Sequence, residues 1–281
     1  MSMDLPTEKD WAKWRAMLAE ADFGGDLLID THAHISVDAF DADRDAVLAR
    51  AKEAHVGKII DMGDSMESSA RAVHLAESSE MLYTAVGIHP EEARPMTAED
   101  DDRLAAWAGL PKVVGIGEIG LDYYWVKDEE QRALQRKIFI RQLDLARQLH
   151  LPVCIHDRDA HGDMLAILKK EGRGIRGVLH CYSGSWETAR ELLKLGFFLG
   201  MDGPLTFKNA KAAPEIVQQM PLDYLLIETD CPYMAPAPLR GKRNEPAFVA
   251  FIAKKVAELR HIPLAEAARQ TTKNARELYG I

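Results

Sequence analysis

Two histidines one residue apart, His32 and His34, close the apolar run LLID at residues 27–30. Side chains alternate faces along a strand, so Asp30, His32 and His34 are expected to share one face as a polar column. A lone histidine is more often packed or solvated than functional. Two on one face beside an aspartate suit a metal ion. Residues of the same kind recur near the ends of other apolar runs: His89 in GIHP, Glu118 in GIGEIGLD, His156 in PVCIH, His180 in HCYSG and Asp230 in ETDCP. Taken singly, each has an ordinary explanation. Glu118 is a strand-end partner for an arginine, His156 and His180 are bonded to backbone carbonyls, and Asp230 is a cap. Taken together, His32, His34, Glu118, His156, His180 and Asp230 supply enough nitrogen and oxygen donors for two divalent ions that share one carboxylate. Imidazole with carboxylate favours zinc, manganese, cobalt, iron or nickel over calcium. Magnesium prefers oxygen ligands and keeps its waters. The donor types leave the choice among these ions open.

The chain has three cysteines and no CxxC pair, which reads as reduced thiols in the cytoplasm and not as a disulfide framework. Cys181 and Cys231 directly follow His180 and Asp230, and alternation is expected to turn Cys181 outward. Cys154 shares the face of His156 one step lower in the barrel. All three are expected to pack and not to ligate.

These residues need a scaffold that brings them to one place. Eight short apolar runs recur: 27–30, 58–63, 82–88, 113–119, 152–156, 177–181, 197–201 and 225–230. Most lack strict polar alternation, as strands buried on both faces do. Helical patterns lie between and after them at 41–55, 128–149, 159–171, 186–195, 209–220, 246–260 and 264–279. This rhythm predicts a (β/α)₈ TIM barrel, an α/β fold whose chemistry gathers at the C-terminal ends of the strands. An open doubly wound sheet fits less well, because the units are evenly spaced and no GxGxxG turn is present. Residues 1–25 stand apart as a helical extension to a barrel domain of 26–281. Thr7 and Asp10 form a capping-box pair, and Trp11, Trp14 and Leu18 follow at helical spacing, so a short amphipathic helix covering one end of the barrel is expected.

With 281 residues, 47% hydrophobic and 28% charged, the chain has ample material for a core, which excludes disorder. A formal net charge of −9 excludes the broad basic field of a typical nucleic-acid binder, although phosphates can still be handled by charge concentrated in a site. No stretch approaches the roughly 20 apolar residues of a membrane helix. The N-terminus carries acidic residues and no apolar signal core, which reads against a secretory peptide.

The stretches DTHAH, GIHP, GEIGLDYY, LPVCIHDRDA, HCYSG, GPLTFKNA and ETDCPYMAPAPLRGKRNEP resemble, in order and spacing, the TatD-type metal-dependent deoxyribonucleases of the amidohydrolase-like barrels. The resemblance runs from about residue 27 to the C-terminus. It implies a divalent metal pair with His32, His34 and Asp230 on one ion, His156 and His180 on the other, and Glu118 bridging. It also implies hydrolysis of DNA phosphodiester bonds, in some members as a 3′ exonuclease on single strands. The chain departs from the pattern in its N-terminal helix and at Glu91, where many members carry another histidine.

Two ions about 3.5–4 Å apart would neutralise phosphate oxygens and activate water. Glu118 suits the shared position, and Asp230 can be both ligand and acceptor of the water proton, so these two are the expected catalytic residues. Arg240, Lys242 and Arg243 form a local basic patch after Asp230 and are expected, with His89 and Arg158, to contact phosphate or leaving group. Tyr123, Tyr124 and Trp125 offer faces for base stacking, and packing against the rim explains them equally well. DNA, single-stranded or as short ends, is the expected partner. No stable protein partner is evident, and a monomer or weak oligomer is expected. Two other readings stay open. One is a hydrolase of a small ester, lactone or aminoacyl ester; relatives of that type often bridge their metals with a modified lysine on the fourth strand, and residues 113–121 contain none. The other is a metal-binding interaction protein without activity.

Overall fold

The computed structural model describes residues 4–281. Eight parallel strands follow one another around a barrel: β1 Leu28–Ala33, β2 Val56–Met62, β3 Leu82–Val86, β4 Val113–Asp122, β5 Val153–Arg158, β6 Gly177–Leu179, β7 Phe198–Met201 and β8 Leu225–Ile227. Each pairs with the next in sequence order, as right-handed βαβ units require. The (β/α)₈ expectation holds.

The seam between β8 and β1 is closed at its C-terminal end. There Asp230 N–H donates to the His32 carbonyl at 2.9 Å, and His34 N–H donates to the Cys231 carbonyl at 2.8 Å. Each strand contributes to an apolar interior, from Ile29 on β1 to Leu226 on β8. A larger apolar shell lies between the strands and the surrounding helices.

Helix α1, Glu8–Ala19, precedes β1. The Thr7–Asp10 capping box is formed in both directions, and its hydrogen bonds from Thr7 hold the Asp10 carboxyl down at about 2. The helices of the barrel are α2 Arg44–Glu53, α3 Met66–Glu77, α4 Ala98–Ala108, α5 Glu129–Leu149, α6 His161–Glu171, α7 Trp186–Lys194, α8 Ala212–Gln219, α9 Val249–Arg260 and α10 Leu264–Tyr279. Helices α3 and α4 have no counterpart in the helical patterns expected from the sequence. Their start signals are nonetheless there, as capping boxes at Ser65 and Thr97. Helix α10 packs Ala275, Leu278 and Tyr279 into the interior cluster, so the end of the barrel away from the strand C-termini is plugged by side chains.

Helix α1 lies across the segment that follows β8. Trp14 is 1% exposed, and its indole N–H reaches the Ala247 carbonyl at 3.4 Å. Trp11 packs against Phe248, with ring centroids 5.6 Å apart. The helix therefore braces the segment that leaves the C-terminal end of β8 and does not plug the barrel.

Candidate metal centre

Glu118 stands at the centre of the barrel mouth, 3% exposed, on the longest strand. Its two carboxylate oxygens face different partners. Oε2 lies 3.3 Å from His32 Nε2 and 3.6 Å from His34 Nε2. Those two imidazole nitrogens are 3.2 Å apart, and Asp230 Oδ1 is 3.6 Å from the first and 3.4 Å from the second. Oε1 lies 2.7 Å from His180 Nε2, 3.0 Å from His156 Nδ1 and 3.5 Å from His89 Nε2. Two nests of donors thus share one carboxylate, and the six expected ligand positions come together.

The donor spacing tests whether metal ions fit. Bonds of about 2.0–2.2 Å in a tetrahedron hold donor atoms about 3.3–3.6 Å apart. The nest of His32, His34, Asp230 and Glu118 Oε2 has separations of 3.2–3.6 Å, and no lysine or arginine reaches into it. Nitrogen lone pairs and carboxylate oxygens that converge at this spacing suit a divalent transition-metal ion. The second nest, with His156, His180 and Glu118 Oε1, is more compact, with separations of 2.7–3.3 Å, and His89 stands beside it within ligand range.

Supporting residues orient the ligands. His156 turns its Nδ1 to Glu118 because its Nε2 is 3.0 Å from Asp122 Oδ2. Asp122 is fixed in turn by the Trp125 N–H at 2.8 Å. His32 Nδ1 sits 3.2 Å from Cys154 Sγ, as expected for a cysteine one step lower on the same face. Gly120 must be glycine, since its φ is +146° and a Cβ there would stand 2.0 Å from the His156 carbonyl oxygen. Asp230 adopts φ +56°, a left-handed conformation that costs a non-glycine residue about 1 kcal/mol or more. Asn244 holds that turn from both sides, donating to the Thr229 carbonyl at 2.7 Å and the Tyr233 carbonyl at 2.6 Å.

Without metal, the charges balance among themselves. Burial pushes Glu118 toward neutrality, but the imidazoles of His180, His32 and His89 outweigh it and hold its carboxyl well below the usual range. Burial opposes protonation of His34 and His156 as well. Asp230 and Glu118 nevertheless raise His34 to about 9, and Asp122 and Glu118 raise His156 to about 10. Burial and the neighbouring His180 hold His32 down at about 4.

The polar column expected on β1 is broken. Asp30 turns to the opposite side, where its carboxylate accepts from Thr229 N–H at 2.9 Å and Thr229 Oγ1 at 2.6 Å. The register of β1 against β2 shifts between Asp30 and Ala33, and this irregularity puts His32 and His34 at the mouth without Asp30. Cys181 is not turned outward either. Strand β6 ends at Leu179, and Cys181, at φ +43°, lines the cavity.

A cavity of about 830 Å³ opens above the nests. Arg158 lies in its wall, stacked over Tyr124 at 4.1 Å and near Trp125 at 5.6 Å. His89 lines it too, within ligand range of Glu118 as well as of a substrate. The basic patch after Asp230 is a correction to the sequence expectation. Arg243 is 5% exposed and is spent on Asp43, at 2.6 Å, and Glu245, at 3.0 Å. Lys242 reaches back to Asp4 at 3.4 Å, and Arg240 covers the Phe207 ring at 4.3 Å; neither lines the cavity. Tyr123 is likewise engaged elsewhere, with its hydroxyl 2.6 Å from Asp163 and 2.9 Å from Arg136. The RNEP segment therefore holds the Asp230 turn, and Arg243 is buried, paired and absent from the cavity wall. Asp122 and Asn244 were missed as supporting residues, although both lie inside the stretches GEIGLDYY and RGKRNEP.

Comparison with known proteins agrees with this geometry. The sequence model of the family described as TatD related DNase matches residues 29–280. The uncharacterized metal-dependent hydrolase YabD of Bacillus subtilis is 44% identical, over 91% of this chain and all of that protein. The 3′-5′ ssDNA/RNA exonuclease TatD of Cronobacter sakazakii is 36% identical, over 90% of this chain and 97% of its own length. The crystal structure of the TatD homologue YJJV from Escherichia coli superposes with a TM-score of 0.84 at 34% identity, covering 90% of this chain and 98% of that one. With the barrel, the convergent donors and these relatives in place, the reading as an inactive binder falls away: the chain belongs to the TatD-related DNase family and is a metal-dependent hydrolase.

Proposed function

We propose that this chain, a barrel of residues 26–281 with an N-terminal extension at 1–25, hydrolyses phosphodiester bonds with two divalent ions. In this reading it removes nucleotides from the 3′ ends of single-stranded DNA. The observation that carries the reading is the division of Glu118, with one oxygen toward His32, His34 and Asp230 and the other toward His156 and His180. When bound, such an ion pair supplies positive charge to the phosphate oxygens and lowers the pKa of water toward neutrality.

The chain's own residues do the rest. Glu118, ionised by its surrounding imidazoles, holds the two nests in register. Asp230 presents a carboxylate at the edge of the cavity and takes the proton of the attacking water. His89 and Arg158 line the same space and face the phosphate or the leaving oxygen. Trp125, 59% exposed beside Arg158, offers a face on which a terminal base stacks. Asp64, Glu91 and Glu92 also line the mouth. These acids repel a long polyanion, which supports ends or short pieces as the substrate. The same acids favour a second reading, hydrolysis of a small ester, lactone or aminoacyl ester. The proposal takes the chain as a cytoplasmic monomer or weak oligomer. No helix among the described residues is long and apolar enough to cross a membrane.

The test uses single-stranded DNA labelled at either end, chelator-stripped protein and added Mg²⁺, Mn²⁺ or Zn²⁺. Loss of label that needs metal, begins at the 3′ end and vanishes in Asp230→Asn is the expected result. Two bound ions with no cleavage under any metal would overturn the nuclease reading and turn attention to small esters.

A further inference from the structure

The extension that carries α1 lies outside the family match, which begins at residue 29. The match with the Bacillus relative takes in all of that protein and 91% of this chain. The extension nevertheless touches the machinery of the mouth through a short chain of contacts that runs from half-buried Trp11 and Arg50 to buried Glu245 and Asn244. The Arg243 N–H donates to the Asp4 carbonyl at 2.8 Å. Trp11 lies under the Arg50 guanidinium, 4.8 Å from its carbon to the ring centre. Arg50 grips Glu245, which is fully buried, at 2.7 and 2.9 Å, and Glu245 also pairs with Arg243. Between Arg243 and Glu245 sits Asn244, fully buried, whose amide fixes the carbonyls on both sides of the left-handed Asp230 turn.

We propose that the extension is a positioning element for the Asp230 metal ligand, with Trp11 holding the Arg50–Glu245–Arg243 network so that Asn244 keeps the strained turn closed. Trp11 touches neither substrate nor metal; it acts through the residues it covers. Removing it frees Arg50, loosens Glu245 and lets the turn relax toward a conformation in which the Asp230 carboxylate leaves the His32–His34 nest. The inference rests on the two-metal reading and not on the choice of substrate.

The test is Trp11→Ala in the full chain, with Trp11→Phe as the conservative variant and Asn244→Ala alone and combined with Trp11→Ala. Calorimetric titration of chelator-stripped protein with Mn²⁺ gives the affinity of each ion, and a chromogenic phosphodiester gives kcat and KM. Trp11→Ala is expected to weaken one of the two ions by about tenfold or more, the range seen when a group behind a ligand is lost. It is expected to lower kcat with little change in KM. Trp11→Phe should restore most of both. The double variant should be little worse than Asn244→Ala alone, because the two residues act on the same turn. A Trp11→Ala chain that melts earlier but binds both ions as the parent does overturns the proposal, as do strictly additive effects. A parent chain that binds no ion overturns the two-metal reading and this proposal together. Should Trp11→Ala fail to fold, Arg50→Lys takes its place: it keeps the charge and loses the forked grip on Glu245, with the same outcomes read.

Discussion

The two nests around Glu118 are built differently. The first draws His32 from β1, His34 from the residue just past it and Asp230 from the turn after β8, so it straddles the barrel seam and is tied down by backbone hydrogen bonds. His32 is wholly buried and His34 is 6% exposed. The second draws His156 from β5 and His180 from the end of β6, with His89 beside it, and it faces the open cavity. Its orientation depends on a carboxylate partner, Asp122, where the first adds to the seam's backbone bonds the amide of Asn244 behind Asp230. On the proposed two-ion reading, this difference predicts that the seam nest holds its ion more tightly and that the second nest exchanges its ion more readily.

Glu118→Gln breaks the comparison outright. It removes the charge that both nests share, so metal analysis should find both ions lost and hydrolysis reduced to background. Retention of either ion at parental affinity would show that Glu118 is not shared. Asp230→Asn comes next. It should cost about 10²–10⁴-fold in kcat, the range for a lost proton acceptor, and should loosen the seam ion while the open ion stays. Asp122→Asn is the mirror experiment. Loss of a partner behind a ligand costs about 10–100-fold in metal affinity, here at the open nest alone. Equal weakening of both ions would erase the distinction.

A smaller effect comes from pH. In the metal-free chain His34, near 9, and His156, near 10, hold protons at neutral pH, one in each nest. Ion binding must displace them, so calorimetry at pH 7 in buffers of different ionisation heat should report proton release, and affinity should climb as pH rises toward 9. Both values are raised above the unfolded value of about 6.5. The stability they give the metal-free chain is therefore full below that pH and lost as pH rises through 9 to 10. Metal-free melting temperatures that rise over that interval would contradict this. The smallest effect is expected for Arg158→Ala, which should lower the salt dependence of DNA binding by about one phosphate contact and leave both ions in place.

The barrel was legible because its signal is repeated: eight short apolar runs, most of them followed by a helical pattern, at even spacing along the chain. The ligands were legible because strand ends are where such a fold collects polar residues, and His32, His34, Glu118, His156, His180 and Asp230 all fell there. What misled was local. Strict alternation put Asp30 beside His32, but a register shift in β1 undid it. A run of three cations read as a phosphate patch, but Asp43 and Glu245, distant or unremarkable in sequence, claim Arg243. Partner choice of that kind is set by tertiary packing, and spacing along the chain carries no trace of it. For helices α3 and α4 the legible signal lies in their capping boxes at Ser65 and Thr97, not in apolar stripes.

The seam has a consequence for how the molecule forms. The bonds that complete the barrel, between residues 30–34 and 227–231, join nearly the first strand to nearly the last and are the same bonds that seat Asp230 beside His32. Bringing ends that far apart together costs on the order of 5 kcal/mol of chain entropy. A pairing of that sequence separation forms late. The meeting of Asp230 with His32 is therefore tied to closure of the barrel, and a chain whose first and last strands have not paired lacks the seam nest.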